Sequence, residues 1–302
     1  MSRFWKGFWQ LADPKIWIAS TIPMLVGATF AYVNEKSFNF LWFLLALIGV
    51  YLIEIGKNAV NEVVDYITGA DRFVTQDKRT PFSGGKKTIV DGVLTLEEAK
   101  WIGIVTIFLA CIIGIIIALY WEIKVLSIGV LGVFFAVFYI LPPLKLAYRG
   151  LGEFAVGFTF GILVTLGMYV TMTHNINWNV VLISLPLSFL ITNVLWINQF
   201  PDYEADMKAN KRNWVVRLGK EKSVGVYAML FAFSYISFIL ISIILKNYFF
   251  LLGFITLPLT ISAVKNAKKH YNDIQRLILS NAKTVQIYIL TGIFMIIAII
   301  LQ

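Results

Sequence analysis

Residues 61–85 read NEVVDYITGADRFVTQDKRTPFSGG. The stretch leaves an apolar run with Asn61, Asp65 and Asp71 and passes into a basic, glycine-bearing segment containing Arg72, Lys78, Arg79 and Ser83-Gly84-Gly85. Residues 198–217, NQFPDYEADMKANKRNWVVR, repeat the pattern with Asn198, Asp202 and Asp206. Positions four apart on a helix lie about 40° apart in azimuth, so Asn198, Asp202 and Asp206 share one stripe, and so do Asn61 and Asp65. Asp71 follows Asp65 by six, which a continuous helix would turn away. Gly69 intervenes, and a break there would swing Asp71 back. Pro201 removes the hydrogen bond to residue 197 and predicts a disturbance at that turn.

Around these stretches the chain is apolar. Of its 302 residues, 59% are hydrophobic and 14% charged, and mean hydropathy is +0.77. A soluble domain carries roughly 25% charged residues, so the class is an all-α polytopic membrane protein. Apolar segments fall near 16–34, 38–60, 101–119, 125–141, 152–173, 179–198, 224–245, 248–264 and 284–301. These predict nine transmembrane helices in one domain spanning 1–302, with no cleaved signal segment at the start. Lys and Arg sort sharply between alternate loops, 23 against 3, with Lys57 counted at the end of the second helix and only Lys36, Lys124 and Lys246 on the poor side. The positive-inside rule then puts the N-terminus in the cytoplasm and the C-terminus outside. The long connections, near 66–98 and 201–222, fall on the cytoplasmic side, where they would cap a site. The net charge of +9 is thus a topology signal, with anionic membrane lipid as its partner and no role for nucleic acid. No obligatory protein partner is evident. Cys111, the single cysteine, lies in an apolar run and reads as buried filler. Thr95 with Glu98 three residues on predicts a capping box.

Carboxylates at the end of a membrane helix are costly unless water, cations or partners meet them. Two matched clusters at cytoplasmic helix ends fit Mg²⁺, which prefers oxygen ligands and bridges to phosphates. His174, His270 and Cys111 lie apart from the clusters, which argues against zinc. The plainer reading, helix caps balanced by nearby Lys and Arg, accounts for one cluster better than for two. Asn61, Asp65, Asp71, Asn198, Asp202 and Asp206 are the candidate metal ligands. Arg72, Lys78, Arg79, Lys145 and Arg149 are placed to meet the outer oxygens of a diphosphate. Pro142-Pro143 should end a helix one turn beyond Tyr139, whose ring then lies near the site. Gly157/Gly161 and Gly129/Gly132 have the spacing of close helix packing.

The two stretches, with Arg79-Thr80-Pro81-Phe82-Ser83-Gly84-Gly85 and the run Pro142 to Glu153 (PPLKLAYRGLGE), resemble the UbiA superfamily of membrane-embedded prenyltransferases. The likeness runs nearest to the branch containing 1,4-dihydroxy-2-naphthoate polyprenyltransferase, although Glu62 stands where many relatives have Asp. It implies a UbiA-like fold, a polyprenyl diphosphate donor, Mg²⁺ held between the aspartates and the diphosphate, and catalytic roles for Asp65, Asp71, Asp202, Asp206, Lys145 and Tyr139. It also implies an aromatic acceptor, dihydroxynaphthoate prenylated with loss of CO₂ to demethylmenaquinone, and a cell-membrane enzyme whose site faces the cytoplasm. Within the same fold the acceptor is alternatively 4-hydroxybenzoate, homogentisate, haem or geranylgeranylglyceryl phosphate. A reading from another class is a cation-coupled transporter, whose ion sites usually lie nearer the membrane midplane.

Overall fold

In a computed structural model of the chain, residues 1–73, 79–82 and 85–302 are described, apart from the side chains of residues 71 and 72. The predicted helices form, and several outrun their apolar segments. A short helix α1 (Arg3–Ala12) and a 3₁₀ turn lead into α2 (Ile18–Glu35) and then α3 (Phe40–Thr68). Next come α4 (Leu96–Tyr120) and α5 (Lys124–Phe138). One nearly continuous rod follows, made of α6 (Gly152–Val156), a π-helical stretch Gly157–Leu163 and α7 (Val164–Thr173). The chain closes with α8 (Trp178–Lys208), the short α9 (Trp214–Leu218), α10 (Lys220–Ile244), a 3₁₀ entry into α11 (Leu257–His270), and α12 (Ile274–Ile300).

Among the described residues, eight helical stretches are long and apolar enough to cross a membrane, where the sequence predicts nine crossings. The exception is α5. Its 15 residues span about 22 Å at 1.5 Å per residue, short of a hydrocarbon core of about 30 Å. Two further helical bonds, Tyr139 N to Phe135 O (3.0 Å) and Leu141 N to Val137 O (3.2 Å), lengthen it before Pro142-Pro143 ends the run. The apolar pattern also understates α8. Its segment stops at 198, whereas the helix runs unbroken through Pro201 to Lys208, so residues 201–208 are helix and not loop. The carbonyl of Ile197, left without a donor by Pro201, accepts instead from Asn281 Nδ2 on α12 at 3.2 Å.

The main core joins α2, α7, α8, α10 and α12, while α3 packs along α4 as a second layer. A smaller apolar cluster of Leu11, Ile55, Leu94 and Ile102 seats α1 against α3 and α4. The rod and α8 meet closely at Gly161, where a Cβ would run into the backbone of Ser188. Gly129 and Gly132 behave differently from the packing expectation: open space surrounds both, and they line a cavity. The capping box forms, with Glu98 N donating to Thr95 Oγ1 at 3.1 Å and Thr95 N donating to Glu98 Oε2 at 2.7 Å. The break at Gly69 is also present: α3 ends at Thr68, Gly69 takes φ 81°, and a 3₁₀ turn Ala70–Phe73 follows. That turn, which carries Asp71 in its backbone, packs on α8.

Candidate active site

A cavity of about 690 Å³ runs between α3, α4, α5, the rod and α8. The side that α3 presents to it is written in helical period. Ala46, Gly49, Val50 and Ile53 are followed by Glu54, Lys57, Asn58 and Asn61, all on one face. The stripe thus changes from apolar to polar along its length. On α8 the same change runs from Ile191, Val194 and Leu195 to Asn198, Gln199, Asp202 and Asp206. Polar groups from both helices therefore gather at one end, and aliphatic and aromatic side chains wall the rest.

The α8 half is held by its neighbours. Asn198 Oδ1 accepts from Asn281 Nδ2 at 2.8 Å. Asp206, 6% exposed, accepts from Asn213 Nδ2 at 2.7 Å and lies 3.6 Å from Lys211 Nζ. Burial works against the Lys211 ammonium, but the carboxylates of Asp206 and Asp65 outweigh it and hold its pKa well above the usual lysine value. Lys211 therefore remains charged throughout the physiological range. Glu153 ties the rod to both sides of this corner, accepting from Gln199 Nε2 and from Trp214 N, each at 3.0 Å.

The α3 half is more open. Asn61 Oδ1 and Asp65 Oδ1 are buried oxygens with no hydrogen-bond partner among the described residues. Such oxygens cost free energy unless a ligand meets them. As hard, neutral-plus-anionic donors they suit a hard divalent cation. Among the described residues no three His, Cys, Asp or Glu side chains converge into a ready-made metal cage. Glu62 points the other way. It is 3% exposed and accepts from Lys86 N (3.2 Å), Thr88 Oγ1 (3.0 Å) and Ile89 N (3.2 Å), which anchors the returning loop beside the cavity. Lys86 lines the cavity and its ammonium pairs with Asp13.

The sequence-predicted residues fall into groups. Asn61, Asn198, Asp202, Asp206 and Tyr139 line the cavity, and Asp65 stands beside them, close enough to act on Asp206 and Lys211. Tyr139 O accepts from Ala147 N at 2.8 Å, which fixes the corner after α5. Lys145 has its ammonium 5.4 Å from the Tyr148 ring centroid, with Lys211 at 6.0 Å from the same ring. Burial pushes the Tyr148 hydroxyl up, opposed in part by its contact with Thr68. Arg79 and Arg149 do not line the cavity: Arg79 pairs with Asp91 at 3.0 and 3.1 Å, and Arg149 Nη2 donates to Pro143 O at 2.9 Å. Lys78, with Ser83 and Gly84, and the side chains of Asp71 and Arg72 lie outside the described residues.

Other cavity residues escaped the sequence reading. Lys57, counted there as a loop-end cation, lines the cavity inside α3, together with Glu54 one turn earlier. Cys111 is half-buried in the cavity wall, more open than a filler residue. Asn281 carries no spacing signal that links it to Asn198, since the two are 83 residues apart. The 54/57/58/61 spacing was available as a helix-face pattern, but the positive charge of Lys57 drew it into the loop tally.

A membrane-type helical bundle around an apolar cavity, with acids, amides and amines at one end of it, defines the class. The chain belongs to the UbiA prenyltransferase family, which it matches over residues 20–298. Similar proteins include a 1,4-dihydroxy-2-naphthoate octaprenyltransferase of Haemophilus influenzae, 29% identical over 260 residues that cover 82% of each chain. A UbiA prenyltransferase domain-containing protein 1 of Dictyostelium discoideum is 26% identical, covering 82% of this chain and 75% of that one. Among solved structures, one of digeranylgeranylglyceryl phosphate synthase matches with TM-score 0.68 and 22% identity over 100% of both chains. A UbiA homolog from Archaeoglobus fulgidus bound to GPP and Mg²⁺ matches with TM-score 0.65 and 17% identity, over 96% of this chain and 99% of that one. These structural likenesses carry the fold.

Proposed function

We propose that the protein transfers a polyprenyl group from a polyprenyl diphosphate to an acceptor inside this cavity, with Mg²⁺ as the metal. The observation that carries the reading is the cavity's polarity: Asn61 with Asp65 and Asn198 with Asp202 and Asp206 stand at one end of a single apolar space. An isoprenoid diphosphate has the same division, with a doubly anionic head on an apolar chain. Asn61, Asp65, Asn198, Asp202 and Asp206 would hold the metal, with Asp71 proposed from its motif position. Bound Mg²⁺ supplies Lewis-acid stabilisation of the diphosphate as a leaving group. Lys211 and Lys86 bring fixed positive charge to that end, Lys145 stands behind Tyr148, and Arg72, Lys78, Arg79 and Arg149 are proposed for the outer oxygens on sequence grounds. The apolar walls exclude water from the allylic centre left when the C–O bond breaks, and the Tyr139 ring offers it a π face.

The site faces the cytoplasm in this proposal. With α5 counted as a ninth crossing beside the eight long helices, this orientation is supported by the Lys/Arg asymmetry, which survives when Lys57 is moved from loop to cavity.

Two acceptor classes are supported by separate observations. The names of relatives such as the Haemophilus influenzae enzyme favour 1,4-dihydroxy-2-naphthoate, prenylated with loss of CO₂. The full-length fold match to digeranylgeranylglyceryl phosphate synthase favours a glyceryl phosphate ether. The test is transfer by purified protein in lipid from a radiolabelled polyprenyl diphosphate, with Mg²⁺ present or chelated. Acceptors offered are dihydroxynaphthoate, 4-hydroxybenzoate, homogentisate and geranylgeranylglyceryl phosphate. Mg²⁺-dependent labelling of one of them identifies the acceptor. Labelling of none, or labelling unaffected by chelation, overturns the reading.

A further inference from the structure

Two charged side chains line the cavity on the turns of α3 before Asn61. Glu54 and Lys57 lie one turn apart on α3 and both line the cavity, with Lys57 about 6 Å further from the acidic end than Asn61 by helix rise. Glu54 is only 3% exposed. Its Oε1 accepts from Ser20 Oγ, while Oε2 has no hydrogen-bond partner among the described residues. The Lys57 ammonium stands 5.0 Å from the Phe160 ring centroid, and among the described residues it closes no ion pair within 4.0 Å, with Glu54 or any other acid.

A buried carboxylate and ammonium on adjacent turns are costly, and a purely structural pair offsets the cost by closing on itself. Here the two close no ion pair with each other, and both residues line the cavity. What completes both is a ligand carrying a hydrogen-bond donor for Glu54 and an anionic acceptor for Lys57. The diphosphate does not qualify, because it would set a multiply charged anion beside the Glu54 carboxylate. A hydroxy acid does. Side chains three apart on a helix are separated by about 5–6 Å at Cβ, a spacing that a hydroxyl and a carboxylate on one ring edge can bridge. Phe160 offers a flat apolar neighbour to the same ring.

We propose that Glu54 and Lys57 bind the acceptor, and that the acceptor is an aromatic hydroxy acid whose hydroxyl donates to Glu54 and whose carboxylate meets Lys57. The proposal rests on the prenyl-transfer reading of the cavity and selects between its two acceptor classes.

The test is equilibrium binding to the full chain in lipid nanodiscs, independent of turnover. The probes are 1-hydroxy-2-naphthoate, its methyl ester, 1-naphthol, a glyceryl phosphate ether and Mg²⁺-pyrophosphate. Wild-type protein is expected to bind the acid roughly tenfold or more tightly than the ester or the naphthol, the size of a charge-assisted hydrogen bond. Lys57→Met should erase that preference, Lys57→Arg should retain most of it, and Glu54→Gln should weaken acid and naphthol together. All three variants should bind Mg²⁺-pyrophosphate as the wild type does. Equal wild-type binding of acid and ester overturns the proposal without any variant having to fold. So does tighter binding of the glyceryl phosphate ether than of the acid, or a Lys57→Met defect confined to pyrophosphate. If the acid preference holds but no prenyl transfer occurs with any acceptor, it is the transfer reading that fails.

Discussion

The two halves of the site use the same spacing and are supported in opposite ways. On α8, Asn198 is held by Asn281 and Asp206 by Asn213 and Lys211 before any ligand arrives. On α3, Asn61 Oδ1 and Asp65 Oδ1 have no such partner among the described residues. On α8 two of the three motif residues are braced by protein, and on α3 the motif oxygens are left for a ligand to complete. The difference teaches that matched sequence motifs need not be matched sites. A carboxylate already hydrogen-bonded contributes geometry, whereas one left open contributes most of its interaction to what binds.

The largest effect should come from breaking both halves at their acids. Asp65→Asn and Asp202→Asn are each expected to lower turnover by about 10²–10³-fold or more, as does metal chelation, because both act on the charge of the leaving group. Folded yield in detergent tests the α3 half. Asp65→Asn should accumulate like wild type, since it keeps the side chain's shape at a position whose Oδ1 has no hydrogen-bond partner among the described residues. A loss of folded Asp65→Asn protein would show that the α3 half is braced after all.

Asn281→Ala attacks the comparison from the other side. It removes the donor to Asn198 Oδ1 and the donor that satisfies the Ile197 carbonyl beneath Pro201. The expected cost is about 1–3 kcal/mol of stability, with roughly a tenfold fall in kcat/KM. Thermal unfolding and steady-state kinetics read both. An unchanged kcat/KM would mean that Asn198 needs no positioning.

How much of this was legible in the sequence follows from what each signal measures. Spacing of four and eight is a property of the helix itself, so the stripes 61/65 and 198/202/206 could be read directly. Gly69 and the Thr95 box could be read for the same local reason. Hydropathy, in contrast, marks where a helix meets lipid and says nothing of where it ends. Residues 199–208 of α8 therefore lie beyond its apolar segment and are legible as helix only from the 198/202/206 stripe, while 274–283 of α12 were missed as helix. Lys57 was misplaced because a charge tally cannot see which way a side chain points. Gly129 and Gly132 carry a packing signature, yet they face the cavity, because small residues serve a close contact and an open space equally well. The Asn281 contact joins residues far apart in the chain, and no local pattern encodes it.

The apolar end offers a smaller effect. A Cβ at Gly132 meets nothing within 4 Å, so Gly132→Leu fills cavity without forcing the backbone. The variant should keep its fold and Mg²⁺ dependence and shift preference toward shorter prenyl donors by about an order of magnitude, since each excluded methylene is worth about 0.8 kcal/mol. Competition between geranyl and octaprenyl diphosphates measures the shift. No shift would place the prenyl chain elsewhere than along α5.

The smallest change serves to separate scaffold from site. Helix α4 packs along α3, and its first turn is closed by the Thr95–Glu98 box. Thr95→Ala leaves the Glu98 amide without its acceptor and should cost about 1 kcal/mol, a fall in Tm of roughly 2–4 °C for a chain of this size. Thr95 does not line the cavity, so kcat and both KM values should stay within about twofold of wild type, the range of a surface substitution. If the open oxygens of α3 are set by α3 alone, stability moves and kinetics do not. If the KM for the donor rises along with the fall in Tm, the α3 half depends on the layer behind it. Its contrast with the braced α8 half would then be one of distance to the support and not of its absence.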